Sequence, residues 1–331
     1  MTTRTAVLKI LADGEFHSGT DLGQAIGVSR AAIHKAVKAL QGSDIQIQSV
    51  TGRGYRLFGP CDMLDQRQIL ERLSVSIPQQ SLHILHEVDS TNQFLLRKSR
   101  EQDISGHVCM AECQRQGRGR RGRQWWATPY NNIMLSMAWR FAAGTNAMAG
   151  LSLAAGVAIS DALEAYGVDG VSLKWPNDLI WQQPGGDESI RKLGGVLVDV
   201  QGEADGPALA VLGIGLNVRL HKATAQHIEQ PWVDLHTMMN ETIDRNRLSS
   251  LIIDHLHSML QRFESDGFFV FKKEWERRHF YTGKSVLLQQ AQQTVQGKVL
   301  GIDQFGGLRI EQVSGQQTTY HAGEISLRRA P

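Results

Sequence analysis

Cysteine and proline are scarce in this 331-residue chain, which has three cysteines and eight prolines. Three cysteines cannot all pair, and Cys61, Cys109 and Cys113 lack the spacing of metal ligands, so we interpret them as reduced thiols. The chain is 41% hydrophobic and 21% charged, which is the composition of a folded globular protein. It excludes a disordered chain, a collagen and a disulfide scaffold. At roughly 100 to 200 residues per domain, we expect two or three domains.

Long apolar segments are also missing. Charged residues between Arg4 and Glu15 interrupt the N-terminal region too early for a secretory signal. The uncharged stretch 141–160 holds several glycines and small polar residues, so we interpret it as a buried helix rather than a membrane span. We therefore expect no membrane association and a cytoplasmic location.

Positive charge is concentrated in two segments, although the net charge is only +2. Residues 1–60 carry seven basic side chains against four acidic ones, and residues 115–123 carry five arginines and no acid. Each concentration of charge predicts an anionic partner.

The N-terminal region, residues 1–64, predicts a winged helix-turn-helix domain. Three short helices precede a hairpin; Ser29 can cap the third helix, in which Ile33, Val37 and Leu40 form the buried stripe. A TGRG turn at residues 51–54 gives the hairpin a basic tip. This order of elements predicts DNA binding, and a helix-turn-helix used only for protein contacts is the alternative. The predicted DNA-binding residues are Ser29, Arg30, Ala31, His34, Lys35, Lys38 and Arg53.

The rest of the chain divides into two further predicted domains. Strand-like and helix-like segments alternate over residues 65–277, which predicts a mixed α/β domain. Residues 278–331 contain short strands broken by glycine and polar turns, which predicts a small β-barrel of about five strands.

A glycine-rich and arginine-rich loop stands out in the central region. Residues 117–122, GRGRRG, match the G-x-G-x-x-G pattern of dinucleotide-binding proteins, but we reject that function because no helix is expected to start there. Its arginines instead offer guanidinium groups to phosphate and carboxylate oxygens. A solvated charge run or a second nucleic-acid contact is the alternative. The neighbouring polar residues 90–93 and Gln114 favour a ligand with a neutral head and an anionic tail.

Three later segments add candidate residues. KWPND at residues 174–178 places a lysine, an amide and a carboxylate after a predicted strand. RKLGG at 191–195 and GIGLN at 213–217 combine charged or amide side chains with glycines that allow close approach of a backbone or ligand. Each of these residues also has an ordinary structural explanation when it is considered alone. Lys192 is as typical of a surface lysine as of a binding residue, the glycines are typical of β-bulges, and Asn217 is typical of a turn.

In this order, GRGRRGRQW, KWPND, RKLGGVLVD and GIGLNV resemble the biotin protein ligases. With the N-terminal module, the chain resembles the bifunctional members that also repress a biotin operon, and the resemblance covers essentially all 331 residues. It implies an α+β multidomain protein with a winged helix-turn-helix, a central ligase domain like that of class II synthetases, and a C-terminal SH3-like barrel.

The activity implied by the resemblance has two parts. Biotin and ATP, with Mg²⁺, would form biotinyl-5′-adenylate, and biotin would then pass to a lysine of the biotin carboxyl carrier protein, as in the biotin–[acetyl-CoA-carboxylase] ligases. The adenylate would also favour a homodimer that binds operator DNA.

The resemblance also implies residue roles. The biotin-binding residues would be Ser90, Thr91, Asn92, Gln114, Arg118, Gly119, Arg120 and Lys192. The nucleotide-binding residues would be Arg121, Trp125, Asn177 and Asn217. The catalytic residues would be Arg120, Asp178 and Lys192, with Asp178 also placing the metal ion.

Two features depart from the family pattern. Gln124 stands where a lysine often precedes the tryptophan, and the connection at residues 182–189 is long. We expect a loop that covers the nucleotide within residues 220–232. Two alternative functions stay open: a non-catalytic, biotin-sensing DNA-binding regulator, and a ligase for lipoate, since lipoate ligases resemble the same fold.

Overall fold

The computed structural model describes residues 2–42, 45–57, 63–183, 185, 189–290, 293–321 and 325–329. Cys61 lies outside these ranges, so the prediction of its reduced state has no structural counterpart here. Within the described residues, no helix is both long enough and apolar enough to cross a membrane.

The N-terminal region has the order of elements predicted for a winged helix-turn-helix. The elements are α1 (Thr3–Leu11), α2 (Gly19–Ile26), α3 (Arg30–Gln41), β1 (Ile47–Val50) and β2 (Gly54–Leu57). The hydroxyls of Ser18 and Ser29 cap α2 and α3 by accepting backbone hydrogen bonds from Asp21 and Ala32. Gly27 ends α2 with φ of 76°, a left-handed conformation that glycine adopts at no steric cost. The two strands pair in antiparallel fashion as the wing.

The central region forms a seven-stranded mixed sheet with helices on both faces. Its strands are β3 (Leu82–Leu85), β4 (Val108–Ala111), β5 (Ile133–Phe141), β6 (Val171–Lys174), β7 (Asp178–Gln182), β8 (Ile190–Gly202) and β9 (Ala208–Leu216). Its helices are α4 (Gln66–Arg72), α5 (Thr91–Lys98), α6 (Leu151–Tyr166), α7 (Lys222–Ala225), α8 (Leu235–Met239), α9 (Arg245–Asp266) and α10 (Phe269–Arg278). The strand order is β3-β4-β5-β9-β8-β7-β6, with β3 and β4 parallel and the other pairs antiparallel.

Two helices explain how this sheet is buried. Helix α6 is apolar on nearly every side, and it packs between the sheet and α9 in the main hydrophobic core. On the other face, Leu95 and Leu96 of α5 pack against Cys109, Ala138 and Val211 of the sheet. Helix α5 is therefore fixed against the strands, and its first residues lie at a defined point of the sheet.

The prediction that 141–160 is one buried helix is partly wrong. Strand β5 ends at Phe141, a short 3₁₀ turn spans Thr145–Met148, and α6 begins only at Leu151. Gly144 and Gly150 interrupt the segment, and Gly150 has φ of 81°, which explains why the helix cannot extend further toward its N-terminus.

The C-terminal region is a five-stranded antiparallel sheet, the number of strands expected from its sequence. The strands are β10 (Ser285–Gln290), β11 (Gln293–Ile302), β12 (Leu308–Gln312), β13 (Gln317–Tyr320) and β14 (Ile325–Arg329), in the order β13-β12-β11-β10-β14. The turn between β11 and β12 reaches the central region, where Trp175 Nε1 donates a hydrogen bond to the Gly306 carbonyl at 3.0 Å.

The winged domain also contacts the central region directly. Tyr130, with φ of 60°, places its buried side chain in the hydrophobic cluster of the winged domain. The Leu64 backbone N–H donates to Glu112 Oε1 at 2.6 Å, and Glu112 forms a fully buried ion pair with Arg245, 2.8 Å between Oε2 and Nη1. Glu112 follows β4 and lies two residues before Gln114, so the same strand end serves both regions.

Candidate active site and DNA-binding surface

A pocket opens between the start of α5, the arginine loop and the paired strands β8 and β9. It brings together ten of the residues predicted for ligand binding. They are Ser90, Thr91, Asn92, Gln114, Arg118, Gly119, Arg120, Trp125, Asn177 and Lys192. The segments that carry them are separated by up to about 100 residues in sequence, and the sheet topology brings them to one place.

One end of the pocket is a network of neutral polar groups. Gln114 Oε1 accepts hydrogen bonds from Thr91, from the backbone N–H at 2.7 Å and from the hydroxyl at 3.1 Å. Ser136 Oγ, fully buried on β5, lies 2.7 Å from Thr91 Oγ1 and 2.6 Å from Asn92 Oδ1. These contacts fix the orientation of three predicted head-group residues before any ligand arrives.

The glycines of β9 make room for this network and for the loop. A Cβ atom at Gly213 would overlap Asn92 Oδ1, and a Cβ atom at Gly215 would lie 2.5 Å from Trp125 Cε2. Both glycines therefore serve close approach, which is one of the two explanations that the sequence offered for them. Trp125 consequently lies flat against β9 inside the pocket rather than on the surface.

The arginine loop folds over the pocket as a compact turn. Backbone hydrogen bonds join Gly119 N to Arg123 O at 2.7 Å and Trp125 N to Gly117 O at 2.8 Å. Arg120–Gly122 form a 3₁₀ turn in which Arg121 has φ of 59°. No α-helix begins at this loop, which agrees with our rejection of the dinucleotide-binding pattern.

The two inner arginines of the loop meet different partners. Arg118 Nη1 lies 3.4 Å from Asp199 Oδ2, and Arg120 Nη1 donates to Asn177 Oδ1 at 3.4 Å. Burial lowers the pKa of the Arg120 guanidinium from its ordinary value, and the neighbouring positive charge of Arg121 lowers it further. A bound anion would offset both the loss of hydration and the repulsion from Arg121, so the site of the Arg120 guanidinium favours a negatively charged ligand.

Lys192 stands at the other end of the pocket, close to a carboxylate. Its Nζ atom forms an ion pair with Asp178 Oδ1 at 2.7 Å and lies 5.6 Å from the centre of a Trp125 ring. Asn177 Nδ2 donates to the Val196 carbonyl at 2.7 Å, which fixes the turn before β7 against β8. Lys192 is therefore not a free surface lysine but part of a set with Asn177 and Asp178.

Two predicted nucleotide-binding residues do not line the pocket. Arg121 is exposed on the outer side of the loop. Asn217 is 3% exposed, and its Nδ2 atom donates to the Val233 carbonyl at 3.1 Å, so it supports the segment beside Lys192 instead. That segment pairs with Lys192 through Lys192 N to Pro231 O at 2.9 Å and Val233 N to Lys192 O at 3.0 Å. Lys192 is thus fixed at its backbone as well as at its side chain.

Three residues of the site were not predicted from the sequence: Ser136 and Asp199, which join the network, and Gln230, which lines the pocket. Ser136 lies in a largely apolar strand that no motif marks, whereas Asp199 is the last residue of the RKLGGVLVD motif but was not singled out within it. The sequence shows a polar residue within each of these strands. It does not show the groups that the residue contacts, because they come from distant segments.

The described residues contain no group of three or more histidine, cysteine, aspartate or glutamate side chains arranged to hold a metal ion. Asp178, predicted as catalytic and as the metal-placing residue, does not line the pocket itself and reaches it through its ion pair with Lys192. One carboxylate suits a Mg²⁺ ion that keeps most of its ligands from phosphate and water, and it does not suit an ion held by protein alone.

The predicted DNA-binding residues form one surface of the winged domain. Ser29, Arg30, Ala31, His34, Lys35 and Lys38 are all exposed on α3, and Arg53 is exposed on the wing. His34 Nδ1 lies 3.2 Å from the Tyr55 hydroxyl, which ties the outer face of α3 to the wing. Arg53 and Arg56 both stack on Phe16, so the wing keeps its basic side chains ordered.

Comparison with known proteins matches each region to a family. The biotin/lipoate A/B protein ligase family matches residues 85–217, a helix-turn-helix domain family matches residues 3–56, and the biotin protein ligase C-terminal domain matches residues 281–328. The fold and the pocket therefore define a biotin/lipoate-type protein ligase that carries a helix-turn-helix domain.

Whole-chain relatives refine this class. The chain is 37% identical over 329 residues to the bifunctional ligase/repressor BirA of Escherichia coli strain K12, covering 99% of this chain and 98% of the relative. It is 31% identical over 269 residues to the biotin–[acetyl-CoA-carboxylase] ligase of Mycobacterium tuberculosis, covering 79% and 95%. The biotin protein ligase of Aquifex aeolicus, solved with biotin and ATP, matches with a TM-score of 0.60 at 28% identity, covering 75% and 99%. The chain belongs to the bifunctional ligase/repressor family of biotin protein ligases.

Proposed function

We propose that the chain activates biotin with ATP to biotinyl-5′-adenylate, transfers biotin to a lysine of the biotin carboxyl carrier protein, and represses transcription when it carries the adenylate. One observation carries the enzymatic part. A single pocket combines a neutral hydrogen-bonding end with a cationic end made by Arg118, Arg120 and Lys192. Biotin has a neutral ureido ring and a carboxylate tail, and ATP supplies a further anion.

The chemistry requires two anions to meet. In the first step a carboxylate oxygen of biotin attacks the α-phosphorus of ATP, the bond to the β-phosphate oxygen breaks, and pyrophosphate leaves. Lys192 and Arg120 would stabilise the negative charge that develops on the phosphoryl oxygens. The ion pair with Asp178 keeps the Lys192 ammonium directed into the pocket before the substrates bind.

Mg²⁺ is part of the proposal through ATP. Asp178 would hold it from the protein side, and Asn177 would place the nucleotide phosphates beside Arg120. When bound, the ion supplies charge neutralisation at the phosphates. Trp125, whose ring packs closely against Gly215, would contact the nucleotide. Asn217 would act indirectly by supporting the segment 231–233.

In the second step the amine of a carrier lysine attacks the acyl carbon of the adenylate, and AMP leaves.

We also propose a homodimer that binds a palindromic operator, with α3 in the major groove and the wing near the phosphates. The uniform exposure of the basic residues on α3 and the wing supports this part. We keep 1–64, 65–277 and 278–331 as the proposed domains and the cytoplasm as the proposed location.

The neutral end of the pocket favours biotin over lipoate. Thr91, Asn92 and Gln114 supply hydrogen-bonding groups that the ureido ring can satisfy. The dithiolane ring of lipoate has no group that donates to or accepts from these side chains, so it would gain no hydrogen bonds at this end of the pocket.

The direct test incubates the purified chain with ATP, biotin and a purified carrier domain. We expect pyrophosphate release and a carrier heavier by one biotin. Equal use of lipoate in a competition assay would assign the chain to lipoate ligation. Operator retention without pyrophosphate release would show a non-catalytic sensor, and either outcome would reject the proposal.

A further inference from the structure

Asp199, on β8, lies between the neutral end of the pocket and the arginine loop. Its side chain is 21% exposed. Asn92 Nδ2 donates to Asp199 Oδ2 at 2.9 Å, and Arg118 Nη1 lies 3.4 Å from the same oxygen. Asp199 Oδ2 therefore contacts both Asn92, a predicted head-group residue, and Arg118 of the loop.

This contact completes a series of polar contacts that runs from Gln114 through Thr91, Ser136 and Asn92 to Asp199. The Ser136 hydroxyl has one proton, so it donates to either Thr91 Oγ1 or Asn92 Oδ1 and not to both. Asn92 is only 3% exposed, so its amide has little water to replace these partners. Because hydrogen bonds in such a series polarise one another, the orientation of each group depends on its neighbours.

The carboxylate determines how the Asn92 amide is turned. A carboxylate only accepts hydrogen bonds, so Asp199 selects the amide orientation that sends Nδ2 toward β8 and Oδ1 toward Ser136. The carbonyls of Leu197 and Val211, each 3.4 Å from Nδ2, favour the same orientation but at longer distance. Asp199 provides the shortest of these three contacts.

The negative charge also acts on the loop. Five arginines between residues 115 and 123 repel one another, and that repulsion opposes the folded turn. Arg118 meets Asp199 only while the loop lies over the pocket, because Asp199 belongs to the pocket's strand β8. The contact is partly exposed, so by itself it is weak. Joined to the Asn92 contact, it links the position of the loop to the order of the head-group site.

We propose that Asp199 is a positioning residue that orients Asn92 for the biotin head group and holds the Arg118 end of the loop over the pocket through the same carboxylate oxygen. The inference rests on the proposed function, since it assumes that biotin occupies the neutral end. It predicts that loss of Asp199 weakens biotin binding and loop closure together and raises KM for biotin more than KM for ATP.

The experiment compares Asp199→Ala, Asp199→Asn and Asp199→Glu in the full chain with the control Asp103→Asn. Asp103 forms a surface ion pair with Arg140 at 3.0 Å, remote in the fold from the pocket lining. Calorimetric titration with biotin alone measures affinity, steady-state kinetics gives KM for biotin and for ATP, and limited trypsin digestion measures cleavage within the arginine loop. Thermal unfolding monitors the fold.

For Asp199→Ala we expect the biotin Kd to rise about tenfold, as for the loss of one charge-assisted hydrogen bond. Loop cleavage should accelerate in parallel. Asp199→Asn can still accept from Asn92 but has no charge for Arg118, so its loop should be cleaved faster with a smaller loss of biotin affinity. Asp199→Glu should restore most of both properties, and Asp103→Asn should change neither.

Two results would overturn the inference. One is an Asp199→Ala variant with wild-type biotin affinity and wild-type loop cleavage. The other is a variant in which KM for ATP rises as much as KM for biotin and a lowered unfolding temperature accompanies both, which marks a general structural role. Carrier biotinylation by the wild-type chain is measured separately, so failure of the proposed function is distinguishable from failure of this inference.

Discussion

Replacing Lys192 by methionine removes one positive charge from the pocket and keeps a side chain of similar length. Lys192 Nζ lies 2.7 Å from Asp178 Oδ1, with side-chain exposures of 15% and 19%. The backbone hydrogen bonds of Lys192 to Pro231 and Val233 do not involve its side chain, so we expect β8 to keep its position in the variant. The change therefore acts on charge at the reacting centre.

The expected size follows from this geometry. Losing one preorganised donor to the developing phosphoryl charge costs about 10²- to 10³-fold in rate, or about 2.7 to 4 kcal/mol. The lost hydrogen bond to a charged partner lowers the free energy of unfolding by at most about 3 kcal/mol, and less because both groups are partly exposed. The variant should thus stay folded while adenylate formation nearly stops.

The assay is rapid mixing with biotin and ATP, with pyrophosphate release as the readout, followed by urea unfolding. Lys272→Met is the matched control, because Lys272 forms a 2.8 Å ion pair with Glu276 on α10, away from the pocket. It should lose less stability, because this i,i+4 pair is more exposed, and keep its adenylation rate. A Lys192→Met variant that forms adenylate as fast as the control would refute the role that we assign to Lys192.

Three further predictions concern other parts of the molecule. Changing Arg30 or Lys35 to alanine should weaken operator binding, reduce its salt dependence by about one unit per lost phosphate contact, and spare carrier biotinylation; equal loss of both activities would contradict the separation of the two surfaces. Burial lowers the pKa of His279 from 6.5 to about 3, so below pH 6.5 the unfolded chain takes up a proton that the native chain does not. Stability should therefore fall as the pH drops, by about 2 kcal/mol from this group between pH 6.5 and 5, and His279→Gln should flatten that dependence in urea unfolding at the two pH values. Trp175→Phe keeps a ring but removes the donor to the buried Gly306 carbonyl, so the free energy of unfolding should fall by about 1 to 3 kcal/mol; an unchanged urea midpoint would show that this link between central and C-terminal regions is not stabilising.

Local patterns explain why much of the architecture was predictable. Ser29 before an apolar stripe predicts the start of α3, and the structure has this cap. The sequence also points to Ser90, Thr91, Asn92, the arginine loop and Lys192, which line one pocket in the structure, because each occurs in a compact motif. These motifs combine unusual residue types within a few positions, so they can be recognised without knowing how distant segments pack together.

The remainder depended on tertiary position. Asn217 follows a strand that passes the pocket, yet its side chain turns away to support residues 231–233. Ser136 and Asp199 gain their importance only when β5, β8 and α5 meet. The segment 141–160 was misread because its apolar composition fits a helix, while Gly144 and Gly150 delay the start of α6. Composition did not reveal these backbone interruptions.

The anchorage of the winged domain limits how two such domains can sit on DNA. Tyr130 fills part of the winged domain's hydrophobic cluster, and Leu64 is bonded to the buried carboxylate of Glu112. To swing the domain outward, the chain would have to withdraw the buried Tyr130 side chain from that cluster and expose apolar surface to water. In the proposed homodimer, the distance between the two recognition helices would thus be dictated by how the ligase domains meet. We expect such a protein to tolerate little variation in the number of base pairs between operator half-sites.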